Sequence, residues 1–281
     1  MKKIFLIMIL LLTAVLVIDS IKYIKNYDKL MQTYDTMIQQ GYELNKPEHM
    51  DVFTKQQDYY QNGNFVIIQF IYPLLLIILG TLEFHKKIHS GFFKDELIRQ
   101  DFKKYLKKEY LSSCKAALLI PTIILITFAF SCIVTKLNFN LNSLDYSSIS
   151  QPQIVERTLF SEILKTLFTI VNLFIVSLAC INIGLICTKR NKNFVISSIF
   201  AYLLIVIYQV LVEIIIGPIL SNVFNNNFFA NGLTLFSFWY YDNGTTPYNM
   251  FVYAILLFIT TYFAFKKVYK NKEDVIIYAE K

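Results

Sequence analysis

The chain has 281 residues, of which 55% are hydrophobic and 16% aromatic, with a mean hydropathy of +0.47 and a formal net charge of +7. A water-soluble domain of this length does not need that much apolar side chain, whereas a protein whose surface faces lipid does. The Lys and Arg residues lie between apolar blocks and not in one basic domain, which fits a loop bias and speaks against nucleic acid as a partner.

Six apolar blocks follow one another at 4–18, 65–82, 116–134, 166–187, 194–220 and 248–265. Five reach or nearly reach the roughly 18 to 20 residues that a helix needs to cross a bilayer. The first is short, but Ile21, Tyr23, Ile24 and Tyr27 continue its pattern, and Lys22 and Lys25 can snorkel to an interface. No small-x-small cleavage pattern follows it, so it reads as an uncleaved first helix and not as a signal peptide. The expectation is an all-α integral membrane protein, residues 1–281 forming a single transmembrane domain.

Orientation follows from the basic residues. With the N-terminus inside, the cytoplasmic pieces hold nineteen Lys and Arg and the outer pieces eight, which predicts both termini in the cytoplasm of a multi-pass plasma-membrane protein. The segment 19–64 then reads as an extracellular loop of two helical stretches broken near Gly41. The stretch 136–162, rich in Asn, Ser and Gln, reads as a second outer loop. The stretch 221–247 has no Lys or Arg but many aromatics, Trp239 among them, and suits the outer membrane–water boundary.

Chemistry-bearing motifs are sparse. No Walker, H-E-x-x-H or G-x-S-x-G pattern occurs, so neither an enzyme nor a cofactor bound by this chain is expected. His85 and His89 share a helical face at i, i+4 spacing, but Lys86 and Lys87 would repel a cation there. Cys114, Cys132, Cys180 and Cys187 form no metal or disulfide pattern and read as small core residues. Glu213, one turn after Gln209 and one turn before Gly217-Pro218, is the ionisable residue inside a span. Burying it in hydrocarbon costs roughly 2.5 to 3.5 kcal/mol, so it should face protein or water. It lines a substrate path or helps a conformational switch, or else sits paired or hydrated near the outer end of the fifth span beside a helix break, with Glu162 and Lys165 as candidate neighbours.

The cytoplasmic loop 83–115 is the most informative stretch. Two short amphipathic helices are expected on either side of 99–101. In the second, Phe102, Tyr105 and Leu106 lie on one side and Lys103, Lys104, Lys107 and Lys108 mostly on the other. By itself this is also the pattern of an interfacial anchor on anionic lipid.

The loop resembles the first intracellular loop of ABC-2 type transporter permeases through Glu83, Gly91, Lys94, Leu97, Arg99 and the run Tyr105-Leu106-Lys107-Lys108. Six spans, a short inner loop at 188–193 and a large outer loop after the first span agree in layout. Many members carry an amphipathic helix ahead of the first span, where this sequence has only Met1-Lys2-Lys3. The resemblance implies a small permease of the Gram-positive type, exporting or protecting against a peptide or amphipathic substrate such as an antimicrobial peptide. ATP would be bound by a separate cytoplasmic ATPase, and a second permease, identical or similar, would complete the pair. The loop would couple the two, the part around Gly91 to Arg99 docking in a cleft of the ATPase, with Glu83, Lys94 and Arg99 giving polar register and Phe92, Phe93 and Leu97 the apolar insertion.

Two other readings stay open. A membrane interaction protein, such as an immunity or signalling partner, would explain 19–64 without a pathway. A secondary transporter or channel is opposed by the lack of a visible inverted repeat.

Overall fold

The computed structural model describes residues 2–42, 46–89, 101–141, 157–226, 234–239 and 246–271. The described residues contain helices and no strand: α1 (Lys2–Gln39), α2 (Val52–Gln61), α3 (Gly63–His89), α4 (Phe102–Cys114), α5 (Leu119–Val134), α6 (Leu159–Arg190), α7 (Phe194–Leu211), α8 (Gly217–Phe224) and α9 (Pro247–Val268). A tight turn, Lys115–Leu118, joins α4 to α5, and a wide turn, Val212–Ile216, joins α7 to α8. Among the described residues, six stretches are long and apolar enough to cross a membrane: Phe5–Gln39, Gly63–His89, Phe102–Val134, Leu159–Arg190, Phe194–Phe224 and Tyr248–Val268. All six extend beyond the apolar blocks read from the sequence, because a helix continues through polar residues until a cap or turn stops it. Past Gln39, α1 meets Gly41 at φ +88°, a left-handed conformation that glycine adopts without strain.

The exposed faces are apolar. Val252, Leu256, Ile259 and Phe263 recur at helical spacing along α9 and are 40 to 64% exposed. Ile199, Leu203, Ile207 and Val210 do the same on α7. Continuous stripes of this kind are unsuited to water and suited to lipid or another membrane helix. The chain is a multi-pass membrane protein.

The fold divides into two compact units. The first comprises 1–5, 69–121 and 168–281. Within it α3 and α6 approach closely through glycines. A Cβ on Gly80 would lie 3.0 Å from Ile181 Cγ1, and one on Gly184 would lie 2.9 Å from Thr81 Cγ2. Pro73 leaves α3 without one backbone donor, and nearby the Tyr202 hydroxyl donates to the Phe70 carbonyl at 3.1 Å. Trp239 is fully buried, edge-on to Tyr72 at 5.3 Å, and Phe238 stacks on Tyr253 at 5.7 Å. Phe238 and Trp239 therefore pack inside the protein.

The second unit comprises 6–68 and 122–167. Asp51 caps α2 by accepting from the Phe53 and Thr54 amides at 3.0 Å each. The buried face of α2 is tied down by hydroxyl pairs, Ser20 to Tyr59 at 2.6 Å and Tyr60 to Thr127 at 2.9 Å. After α5 the chain turns through Lys136 and Leu137, both at positive φ, and returns along 49–52. There the Val52 amide donates to the Asn138 carbonyl at 2.9 Å.

Candidate functional site

Of the coupling residues expected from the sequence, Gly91, Phe92, Phe93, Lys94, Leu97 and Arg99 lie outside the described residues. The segments on either side of them both belong to the first unit. Glu83 is exposed near the end of α3. The last turn of α3 is fastened to the end of α6 by the two histidines. His85 Nε2 donates to the Asn191 carbonyl and His89 Nε2 to the Thr188 carbonyl, each at 3.0 Å. A carbonyl only accepts, so both rings carry the proton on Nε2. The i, i+4 spacing noted in the sequence thus serves the unpaired carbonyls at a helix end. His85 also packs edge-on to Phe194 at 5.3 Å.

On the far side of 90–100, Asp101 caps α4 through the Lys103 and Lys104 amides. As expected, Lys103, Lys104, Lys107 and Lys108 are exposed and Tyr105 is buried. The buried row continues through Glu109 and Ser113, one turn apart in each case. Glu109 Oε1 accepts from Lys87 Nζ at 2.7 Å, joining α4 to α3. Tyr110 stacks on Phe265 of α9 at 5.1 Å.

The end of α9 is held by the same cluster. Lys189 Nζ donates to the Val268 carbonyl at 2.6 Å, a cation on a helix C-terminus. The Tyr269 hydroxyl donates to the Leu185 carbonyl at 2.7 Å, and its ring meets Phe84 edge-on at 5.5 Å. The ends of α3, α6 and α9 and the whole of α4 therefore form one cross-tied cluster around the two ends of 90–100. Sequence reasoning missed Glu109, Lys87 and Lys189. The one available signal was the i+4 step from Tyr105 to Glu109, which puts an acid on the apolar side of a basic helix.

Gln209 and Glu213 part company. Gln209 is buried, and its Oε1 accepts from the Leu235 amide at 2.7 Å, anchoring the segment that carries Trp239. Glu213 is exposed, beside Ile214, Ile215 and Ile216, which are 42 to 69% exposed. From Val212 to Ile216, around Glu213, the helix widens: the Gly217 amide donates to the Val212 carbonyl, five residues back. Pro218 accounts for this, since its ring would clash with the carbonyl four residues earlier and has no N–H to give it. Glu162, in the second unit, pairs with Arg157 at 3.2 Å and Lys165 at 2.8 Å.

No family model, curated protein or solved structure matches this chain.

Proposed function

We infer that this chain is the permease subunit of an ATP-driven transporter of the ABC-2 type, lying in the plasma membrane with both termini and residues 83–115 on the cytoplasmic side. The observation that carries the reading is the brace around 90–100. Lys87 with Glu109, and His85 and His89 with the carbonyls at the end of α6, lock both ends of that stretch to spanning helices. A push on 90–100 would reach α3, α6 and the α4–α5 path together, so the spans would tilt as rigid bodies.

The sequence has no phosphate-binding loop of the Walker type, so the engine is a separate ATPase subunit that carries the ATP. Gly91, Phe92, Phe93, Lys94, Leu97 and Arg99, with Glu83 at the margin, form the contact with it. A second permease, identical or similar, covers part of the exposed apolar stripes, and lipid covers the rest. The substrate is a peptide or amphipathic molecule, exported or kept away from the cell.

Affinity purification of the tagged full chain from its native membrane tests this. An ATP-hydrolysing subunit should accompany the wild type, and replacing 91–99 with a Gly-Ser stretch of equal length should remove it. A wild type that retains no ATPase overturns the reading, as does a replaced loop that keeps full activity.

A further inference from the structure

The second unit carries an open cavity of about 510 Å³, within the range of small-molecule sites. Four acids line it, Asp19, Glu48, Asp51 and Asp58, against three bases, Lys22, Lys55 and Arg157. Two of the bases are committed. Lys55 pairs with Asp58, and Arg157 bonds Asp51 at 3.0 Å and Glu162 at 3.2 Å.

Asp19 is only half served. It is 2% exposed, and its Oδ1 accepts from Asn64 Nδ2 at 2.6 Å, but among the described residues its Oδ2 has no donor. Lys22, one turn further along α1, is exposed and makes no ion pair with it. A buried carboxylate oxygen without a donor is costly, and a cation bearing N–H groups removes that cost.

Aromatic faces complete the wall. Tyr23 and Tyr27 project from the same side of α1 as Asp19, and His49 stacks on Tyr27 with ring centres 3.8 Å apart. The unit already holds one ammonium in this manner: Lys55 Nζ sits 4.5 Å from the Tyr23 ring centre and 4.4 Å from that of Tyr59.

We propose that this cavity binds the ammonium or guanidinium group of an organic cation, with Asp19 accepting its N–H donors and Tyr23 and Tyr27 flanking it. The cavity is larger than one such group needs, so the ligand brings more than its head. A free polyamine and a basic side chain of a peptide share this chemistry. Binding is independent of any ATPase, so it can stand or fall apart from the coupling assignment.

Titration calorimetry on the purified full chain in lipid nanodiscs tests it with three probes: spermidine, trilysine and fully acetylated trilysine. At least one cationic probe should bind and the acetylated peptide should not. Spermidine binding alone identifies a free polyamine, and trilysine binding alone a peptide side chain. Asp19→Asn keeps an acceptor for Asn64 and should weaken binding at least tenfold. Lys22→Gln removes an exposed competing cation and should tighten it about twofold or more, which keeps the test alive if the first variant does not fold. Failure of both cationic probes, equal binding of the acetylated peptide, or unchanged affinity in either variant overturns the proposal.

Discussion

Lys87 and Glu109, 22 residues apart in the chain, form an ion pair at 2.7 Å in which the carboxylate is 4% exposed and the ammonium 40%. The asymmetry decides what each substitution does. Removing the cation leaves a buried charge without this partner, whereas neutralising the acid leaves an exposed lysine that water can serve. Lys87→Met should therefore destabilise the protein by about 1 to 3 kcal/mol, and Glu109→Gln by less. The double variant should match Glu109→Gln alone, because no charge is then left to strand. Thermal unfolding of the detergent-solubilised protein measures all three.

The close approach of α3 and α6 gives a second expectation. A methyl at Gly184 meets Thr81 Cγ2, and Thr81 cannot rotate away freely because its hydroxyl donates to the Ile77 carbonyl at 2.7 Å. Gly184→Ala should cost about 1 to 3 kcal/mol by overpacking. Gly80→Ala meets the ethyl arm of Ile181 at 3.0 Å, which has more room to give, and should cost less. The same melting assay ranks them.

How much of this was legible in the sequence varies by element. The six spans were readable, because runs of about 20 apolar residues have few other uses. The exposed lysine face of α4 was readable from its period. The burial of Glu109 was not, since its partner Lys87 stands on a different helix and periodicity says nothing about which helix faces which. The i, i+4 histidines were visible as a pair, but the carbonyls they serve, at Thr188 and Asn191, lie about a hundred positions away. Glu213 stood out as an acid within a span, but its outward direction follows from the widened turn before Pro218. Pro218, visible in the sequence, explains that turn, but which face it leaves outward depends on how the helices pack.

Arg157 governs the second unit. Its Nη1 reaches Asp51 Oδ2 at 3.0 Å and Thr54 Oγ1 at 2.9 Å while its Nε reaches Glu162 at 3.2 Å. Burial alone would pull the guanidinium below its ordinary value, but the hydrogen bond and charge of Glu162, with the charge of Asp51, more than offset this and leave it raised. Arg157→Ala should cost about 2 to 3 kcal/mol and speed amide exchange across α2. Arg157→Lys should recover only part of the loss, since one ammonium cannot span both carboxylates. Hydrogen exchange over 52–61 reads the effect.

His49 adds a pH dependence. Burial lowers its pKa from the ordinary 6.5, Lys136 lowers it further, and Asp28 acts weakly the other way. Because the folded value is depressed, the unfolded chain binds a proton more readily. The associated stability is full above about 6.5 and is lost as pH falls through the folded value. Protection factors at 46–51, with the intrinsic pH dependence of amide exchange removed, should fall between pH 7.5 and pH 5, and His49→Gln should flatten that change.

The assignment of 90–100 as a lever gripped by a separate motor is tested most directly by a photocrosslinking amino acid placed at Lys94 and activated in intact cells. The account predicts one dominant adduct, with a cytoplasmic protein that carries a Walker nucleotide-binding sequence, and loss of that adduct when 91–99 is replaced. An adduct only with lipid or extracellular protein, or none at all in cells that express the full chain, would contradict it.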